Sequence, residues 1–325
     1  MSMITFDNVR KVYAGGTVAV DGIDVEVNAG ETLTLVGPSG CGKTTTMKMI
    51  NDLIPATEGT ISVDGEPIGS RDTIEHRRSI GYVIQEIGLF DHMTVGENIG
   101  LVPDLLGWDQ DRIDDRVTEL LELIELPSST RDQYPGALSG GQRQRVGVAR
   151  ALAANPQVML MDEPFGALDP LTRENLQNEF LELQSTLDVT IVFVTHDIDE
   201  ALKMGDKVAV MRDGEIVQCD TPKTILSDPA NDFVADFVGE DQQMKHLSTV
   251  TVADVMDDGG ASRDAPEVAP TDDLKDVAQA FLGGTHDALP VVRDGEAVGT
   301  VTRAHLREVL GNGPSLSEVG VDRGA

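Results

Sequence analysis

The chain has 325 residues, more than one ordinary domain holds, and 40% of them are hydrophobic against 15 prolines, which suits a packed core and not a disordered chain. Asp and Glu number 56 against 25 Lys and Arg, only 8 of them Lys, for a formal net charge of −31. Such a surface repels nucleic-acid phosphates and anionic lipid headgroups, which excludes a free-standing binder of either, and no nucleic-acid partner is expected.

Residues 3–9 and 18–36 alternate or run apolar as strands do, the second stretch ending in TLTLV. GPSGCGKTTTMKMI follows and reads as a loop opening into a helix. Strand, glycine loop and helix in that order form the context a phosphate loop needs. The start, MSMITFDNVRKVY, has no apolar signal core, and no run of about eighteen apolar residues occurs, so neither export nor a membrane span is expected. Residues 86–137 read as mostly helical, with VTELLELIEL at 117–126 placing apolar residues three and four apart. Strand patterns resume in QVMLMDEP, VTIVFVTHD and DKVAVMRDGEIV. Residues 222–238 read as a short helix and tail, which sets a first domain at 1–238 with a helical subdomain at about 86–157, a linker at 239–248 and a second domain at 249–325. In that second domain DDLKDVAQAFLG at 272–283 reads as a helix with Leu274, Val277, Ala278 and Phe281 on one face. A strand, an Asp294–Gly295 turn, a second strand and a helix follow, and the pattern occurs once.

Three segments carry chemistry. In Gly37-Pro38-Ser39-Gly40-Cys41-Gly42-Lys43-Thr44 the glycines let backbone N–H groups turn toward a β-phosphate, Lys43 reaches the β- and γ-phosphates, and Thr44 offers a hydroxyl to Mg²⁺, with Thr45 adding a phosphate contact at the helix start. A disulfide at Cys41 would disrupt this loop, and Cys41 with Cys219 makes no disulfide framework, which fits a reducing compartment. VMLMDEP at 158–164 delivers Asp162 and Glu163 to the carboxyl end of a buried strand, Asp162 toward Mg²⁺ and Glu163 toward an attacking water. LSGGQRQRVGVARAL at 138–152 places Ser139, Gly140, Gly141 and Gln142 at a helix start, a second anion site in the same chain. One nucleotide cannot use both sites of one compact subunit, so a twofold dimer clamping each ATP between one copy's phosphate loop and the other's SGG segment is expected. His196 ends the strand VTIVFVT, Gln85 follows SIGYVI, Asp169 follows the carboxylate strand, and Tyr13 precedes the first long strand. Taken alone each has a bland alternative: Tyr13 serves a core as readily as an adenine, and Gln85, with its reach to Mg²⁺ and water, serves any strand end.

GPSGCGKTT, Gln85, LSGGQ, VMLMDEP, ALD and the TH ending at His196 resemble the motif set of the ATP-binding-cassette ATPases over residues 3 to about 238. The resemblance implies an α/β P-loop NTPase fold of ABC type, MgATP on Lys43, Thr44 and Asp162, Glu163 as general base, His196 as switch residue, and Ser139 to Gln142 closing over the opposite subunit's ATP. Gly166 stands where that family often has serine before ALD. AVDGIDVEVNAGE, RRSIGYVIQEIGLFDHMTVGENI and THDIDEALKMGDKVAVMRDGEIVQCDTP further resemble the ATPase subunits of importers for glycine betaine, choline and similar compatible solutes. That likeness implies an integral membrane permease, an extracellular solute-binding protein, and a place at the cytoplasmic face of the membrane. Residues 249–311 resemble a single CBS-type domain, where relatives commonly carry two. The scattered acidic residues suit very high salt, where a Debye length of about 3 Å at 1 M screens self-repulsion. The same screening makes this domain, with 14 acidic and 6 basic residues at 249–325, a poor long-range electrostatic sensor.

Overall fold

The computed structural model describes residues 1–84, 88–166, 168–186, 189–239, 247, 249–257, 265–283, 286–293 and 295–310. Strands β1 (Ser2–Val12) and β2 (Val18–Asn28) pair antiparallel, and their alternation buries Ile4, Phe6 and Val9 against Val20, Ile23 and Val25. The strand-like stretch at 18–36 divides into two strands. The Ala29–Gly30 turn, with Gly30 at φ 75° and the Asn28 N–H donating to the Glu31 carboxylate at 2.7 Å, ends β2 and starts β3 (Thr32–Val36) in a different sheet. With β4 (Glu58–Val63) and the two-residue β5 (Glu66–Pro67), the first sheet runs β2-β1-β4-β5.

The second sheet adds β6 (Ile80–Val83), β7 (Val158–Asp162), β8 (Thr190–Thr195), β9 (Lys207–Arg212) and β10 (Glu215–Asp220) in the order β10-β9-β3-β8-β7-β6. Only β10 pairs antiparallel. Every residue of β3, β7 and β8 is buried, which explains their continuous apolar runs: both faces of a parallel sheet are covered. One face, with Leu33, Leu35, Leu160 and Val194, packs with the first sheet and with α1 (Lys43–Ile50). Helix α2 (Thr73–Ser79) leads into β6.

The other face, with Met159, Met161, Ile191 and Phe193, shares a core with α3 (Val95–Leu105), α4 (Gln110–Leu123) and α5 (Gly140–Leu152). Helix α3 starts on a Thr94–Glu97 capping box, and α4 buries Ile113, Val117, Leu120 and Leu121, spaced as one helical stripe. Helices α6 (Pro170–Thr186) and α7 (Ile198–Met204) follow β7 and β8.

The chain folds as two units, Met1–Thr221 and Pro222–Ala325. The short helices α8 (Pro222–Ser227) and α9 (Asp232–Val238), read from sequence as the end of the first domain, group with the second unit. That unit also holds α10 (Val252–Val255), α11 (Leu274–Gly283), the hairpin β11 (Ala288–Arg293) and β12 (Glu296–Thr302), and α12 (Arg303–Leu310). Leu274, Val277, Ala278 and Phe281 are buried together with Leu289, Val291, Val301 and Leu306. Gly295 has φ 81° in the hairpin turn, while Asp294 lies outside the described residues.

Candidate functional site

The buried strand β3 runs into the loop 37–42, and α1 begins at Lys43. Two glycines in that loop are required by its path. Gly37 has φ 154° and a Cβ there would lie 2.2 Å from the Met211 carbonyl oxygen; Gly42 has φ 110° and its Cβ would lie 2.5 Å from that of Ala19. The β2 and β9 backbones therefore press the loop into shape, which leaves Ser39 and Gly40 at its exposed crest. Lys43 is buried; its ammonium donates to the carbonyls of Gly37 at 2.6 Å and Pro38 at 3.1 Å and lies 3.7 Å from Cys41 Sγ.

Strand β7 sits two places from β3, with β8 between them, and brings Asp162 to the same end of the sheet. The Thr44 hydroxyl donates to Asp162 Oδ1 at 3.2 Å. Burial pushes the Asp162 carboxyl above the ordinary aspartate range; the Thr44 hydrogen bond pulls it back, the Glu163 charge raises it, and Lys48 and Lys43 lower it. A desolvated carboxylate beside a hydroxyl, next to an ammonium and an N-terminal helix turn, fits a hard cation shared with phosphate oxygens.

Glu163 leaves the strand with φ 45°, a left-handed turn uncommon outside glycine, and its N–H donates to the Val194 carbonyl at 2.9 Å. This fixes the side chain opposite the end of β8, where His196 Nδ1 lies 3.2 Å from Glu163 Oε2. The imidazole is 63% exposed and the carboxylate 20% exposed, so the pair opens to solvent on the imidazole side. The turn carrying His196 is held on both flanks: the Asp197 N–H donates to Thr195 Oγ1 at 3.0 Å, and the Asp197 carboxylate caps α7 through Asp199 and Glu200 N–H groups.

Ser139 caps α5 in a capping box: its Oγ accepts the Gln142 N–H at 3.2 Å, and Gln142 Oε1 accepts the Ser139 N–H at 2.9 Å. The N–H groups of Gly140 and Gly141 belong to the first turn, whose donors have no partner within the helix. A Cβ on either glycine would meet only side-chain carbons, Leu168 at 3.7 Å and Leu176 and Thr172 at 3.5 Å, so the chain's own packing does not demand glycine there. Arg143 donates to the Leu138 carbonyl at 2.7 Å and anchors the preceding turn. Asp169 is exposed at the start of α6; the Thr172 hydroxyl, together with the Thr172 N–H that the carboxylate accepts at 3.1 Å, holds its carboxyl below the usual range.

The structure thus brings Lys43, Thr44, Asp162, Glu163 and His196 into one chain of contacts, and sets Ser139 to Gln142 at a separate helix start beside Leu168, next to Asp169. Thr45 lies half-buried in the first turn of α1. Tyr13 does not precede the first long strand as expected. It follows the 11-residue β1 and begins the hairpin turn closed by its hydrogen bonds with Thr17 and Gly16, its ring 42% exposed and 5.4 Å from the Lys11 ammonium. Gln85 lies outside the described residues. Sequence reasoning missed Arg173, which donates to the carbonyls of Phe165 at 3.3 Å and Leu168 at 3.0 Å and so shapes the turn before Asp169. It also missed the buried Glu200 and Gln177; a carboxylate and an amide at the third and eighth residues of their helices give no spacing signal until the helices are docked.

A mostly parallel sheet with a glycine loop at one strand end, a carboxylate pair at another and a histidine at a third defines a phosphate-loop nucleoside-triphosphatase cassette. The ABC transporter family model matches residues 20–166, and the CBS domain model matches residues 252–312. The chain is 48% identical over 318 residues to the osmoprotectant import ATP-binding protein OsmV of Salmonella typhimurium, covering 95% of this chain and 81% of that protein. It is 46% identical to the glycine betaine uptake system ATP-binding protein YehX of Escherichia coli, covering 95% and 99%. At 54% identity it matches the carnitine transport ATP-binding protein OpuCA of Listeria monocytogenes over 78% of this chain, and spans 64% of that relative's length. Among solved structures, a dimeric ATP-binding cassette in a post-hydrolysis state bound to ADP and Pi is 34% identical with a TM-score of 0.60, covering 68% of this chain and 99% of that one. The chain belongs to the ABC-transporter ATP-binding proteins, with a C-terminal CBS domain, and is homologous to the ATP-binding proteins of glycine betaine, carnitine and choline import.

Proposed function

We propose that two copies of this chain close around two ATP molecules, hydrolyse them, and thereby drive import of a compatible solute such as glycine betaine. The pair docks on the cytoplasmic face of a membrane permease that is fed by an extracellular solute-binding protein. The single observation that carries the hydrolytic reading is the Glu163–His196 contact of 3.2 Å, built on a left-handed turn at the end of the strand that also ends in Asp162.

Each residue's work follows from its place. Gly37 to Gly42 and Lys43 cradle the β- and γ-phosphates of the substrate, and Thr45 adds a contact at the helix start. Glu163 accepts a proton from the attacking water and His196 holds the geometry of that water against the γ-phosphoryl group. Thr44 and Asp162, joined by Gln85, would hold Mg²⁺, which when bound supplies charge compensation on the triphosphate. Ser139, Gly140, Gly141 and Gln142 present N–H and hydroxyl groups to the partner copy's ATP, which accounts for glycines that the chain's own packing does not require. Asp169 sits at the same seam, and Tyr13 stacks on the adenine. Because phosphoryl transfer to water needs little covalent work from the protein, positioning and charge compensation carry most of the rate.

The solute class rests on relatives whose names span glycine betaine, carnitine, choline and trimethylamine N-oxide, which share a trimethylated nitrogen. Recognition of that cation by an aromatic cage belongs to the solute-binding protein, and this chain, with one Trp and three Tyr, does not supply it. Sedimentation of Glu163→Gln with MgATP in molar salt tests the sandwich: a dimer that forms with ATP and is lost on adding Ser139→Arg supports it, whereas a monomer under both conditions overturns it.

A further inference from the structure

Behind the two loops that face nucleotide lies a buried polar cluster that none of the phosphate-binding or hydrolytic roles uses. Glu200, on α7, is 7% exposed, and its carboxylate accepts from Gln177 Nε2 at 2.9 Å, with the Thr195 hydroxyl close enough to oppose the effect of burial on it. Thr195, the last residue of β8, is itself 1% exposed, and its hydroxyl oxygen accepts the Asp197 N–H at 3.0 Å. The hydroxyl thus stands between the Glu200 carboxylate and the backbone one residue beyond His196. Gln177, on α6, completes its own amide by accepting from Lys203 Nζ at 3.2 Å. Arg173, one helical turn before Gln177, bonds the Phe165 and Leu168 carbonyls and contributes a favourable charge toward Glu200.

We infer that Glu200 is a positioning residue for His196: beside Thr195 it fixes the 195–197 turn, and through Gln177 it ties that turn to α6, the helix that starts directly after Asp169. The inference rests on the hydrolytic role of His196 given above and adds to it the group that aims the imidazole.

Chemistry favours this over a generic core contact. A carboxylate in an apolar interior costs free energy unless its oxygens are hydrogen-bonded, and an apolar residue of similar volume would pack between α6 and α7 without that cost. The groups beside this carboxylate sit on the last residue before His196 and on the helix that follows Asp169, so the cluster spans the two loops rather than the helix contact alone. The surroundings are mixed in charge: burial raises the Glu200 carboxyl and Asp197 adds to it, while Thr195, Gln177 and Arg173 oppose them, and Lys203 feels the charges of both Glu174 and Glu200. A cluster so balanced holds the turn in one place while leaving His196 exposed.

The test is a cycle on the full chain with MgATP in molar salt. Glu200→Ala is expected to lower kcat by about tenfold or more with KM for ATP changed less than about threefold, since a displacement of reacting groups by about 1 Å costs rate rather than affinity. Glu200→Gln, which keeps one acceptor oxygen, is expected to recover part of the loss. On a His196→Ala background the same Glu200→Ala change is expected to cost less than about twofold, because its effect passes through the imidazole. An equal loss on both backgrounds, or a fall in thermal stability with kcat unchanged, would overturn the inference and leave Glu200 a packing residue. The position of the His196 imidazole resonances in the NMR spectrum supplies a second readout: a shift in Glu200→Gln supports the positioning role, and an unchanged spectrum overturns it. Absence of ATP hydrolysis by the unaltered chain would instead remove the hydrolytic reading itself, which the same assay reports separately.

Discussion

Replacing Glu163 by Gln removes one negative charge from a turn whose backbone is held by the Val194 carbonyl, without changing side-chain volume. The 3.2 Å contact with His196 then becomes an amide contact, and the proton acceptor is lost. Loss of a positioned general base costs about 10² to 10⁴ in rate. That range corresponds to about 2.7 to 5.4 kcal/mol of transition-state stabilisation. Binding should survive, because Lys43, Thr44 and the glycine loop are untouched. Removal of a carboxylate beside the triphosphate also relieves repulsion, so ATP affinity should hold or tighten. Phosphate release from saturating MgATP in molar KCl, paired with equilibrium binding of a fluorescent ATP analogue, reads both quantities. A rate within about threefold of the unaltered chain would refute the assignment of Glu163, since no general base acts so weakly. His196→Ala should lower the rate by a similar order, and the double variant should fall well short of the product of the two losses, as touching groups act together.

Gly37→Ala should abolish nucleotide binding, because a Cβ 2.2 Å from the Met211 carbonyl forces the loop open; isothermal titration with ATP checks it, and retained affinity would contradict the loop's geometry. Gly141→Ala should leave thermal stability unchanged or raise it by up to about 1 kcal/mol of helix propensity while lowering dimer-dependent ATPase at least about tenfold, a split measured by thermal melts beside phosphate release. The raised Asp162 carboxyl sets a pH dependence of definite sign. In the nucleotide-free protein the folded state keeps this proton where the unfolded chain has released it, so the group's stabilisation is full below the unfolded value of about 3.9 and is lost as pH rises through the folded one. MgATP binding needs the ionised form and moves oppositely, weakening as pH falls through that same folded value, and Asp162→Asn should flatten this in binding titrations. With a net charge of −31, the chain's melting temperature by circular dichroism should climb between 0.1 and about 2 M KCl as the Debye length shrinks from about 10 Å to under 3 Å; a flat profile would contradict the high-salt reading.

The sheet and its phosphate loop were legible because burial on both faces forces continuous apolar runs such as TLTLV and VMLMD, and because phosphate chemistry fixes glycines at set spacings. The ABC family, the CBS domain and the likeness to compatible-solute importers were equally open to a reader, since their motifs are local strings. Long-range geometry was not. The break between β2 and β3 hides in a four-residue NAGE segment flanked on both sides by strand-like sequence, and only pairing to different sheets reveals it. Tyr13 was misplaced for a related reason: β1 extends through Asp7 and Asn8, polar residues at irregularities in the β1 pairings that end its alternation early in the sequence. Arg173, Gln177 and Glu200 resemble ordinary helix-surface residues in the sequence, and become informative only when α6 and α7 close over them.

Uptake of radiolabelled glycine betaine into vesicles holding this chain with its permease and solute-binding protein, unaltered beside Glu163→Gln, in molar salt, joins the hydrolytic site to transport in one readout. ATP-dependent accumulation that disappears with Glu163→Gln is the expected result. ATP hydrolysis without accumulation of glycine betaine would contradict the solute assignment, and accumulation that persists with Glu163→Gln would contradict the claim that hydrolysis at Glu163 drives import.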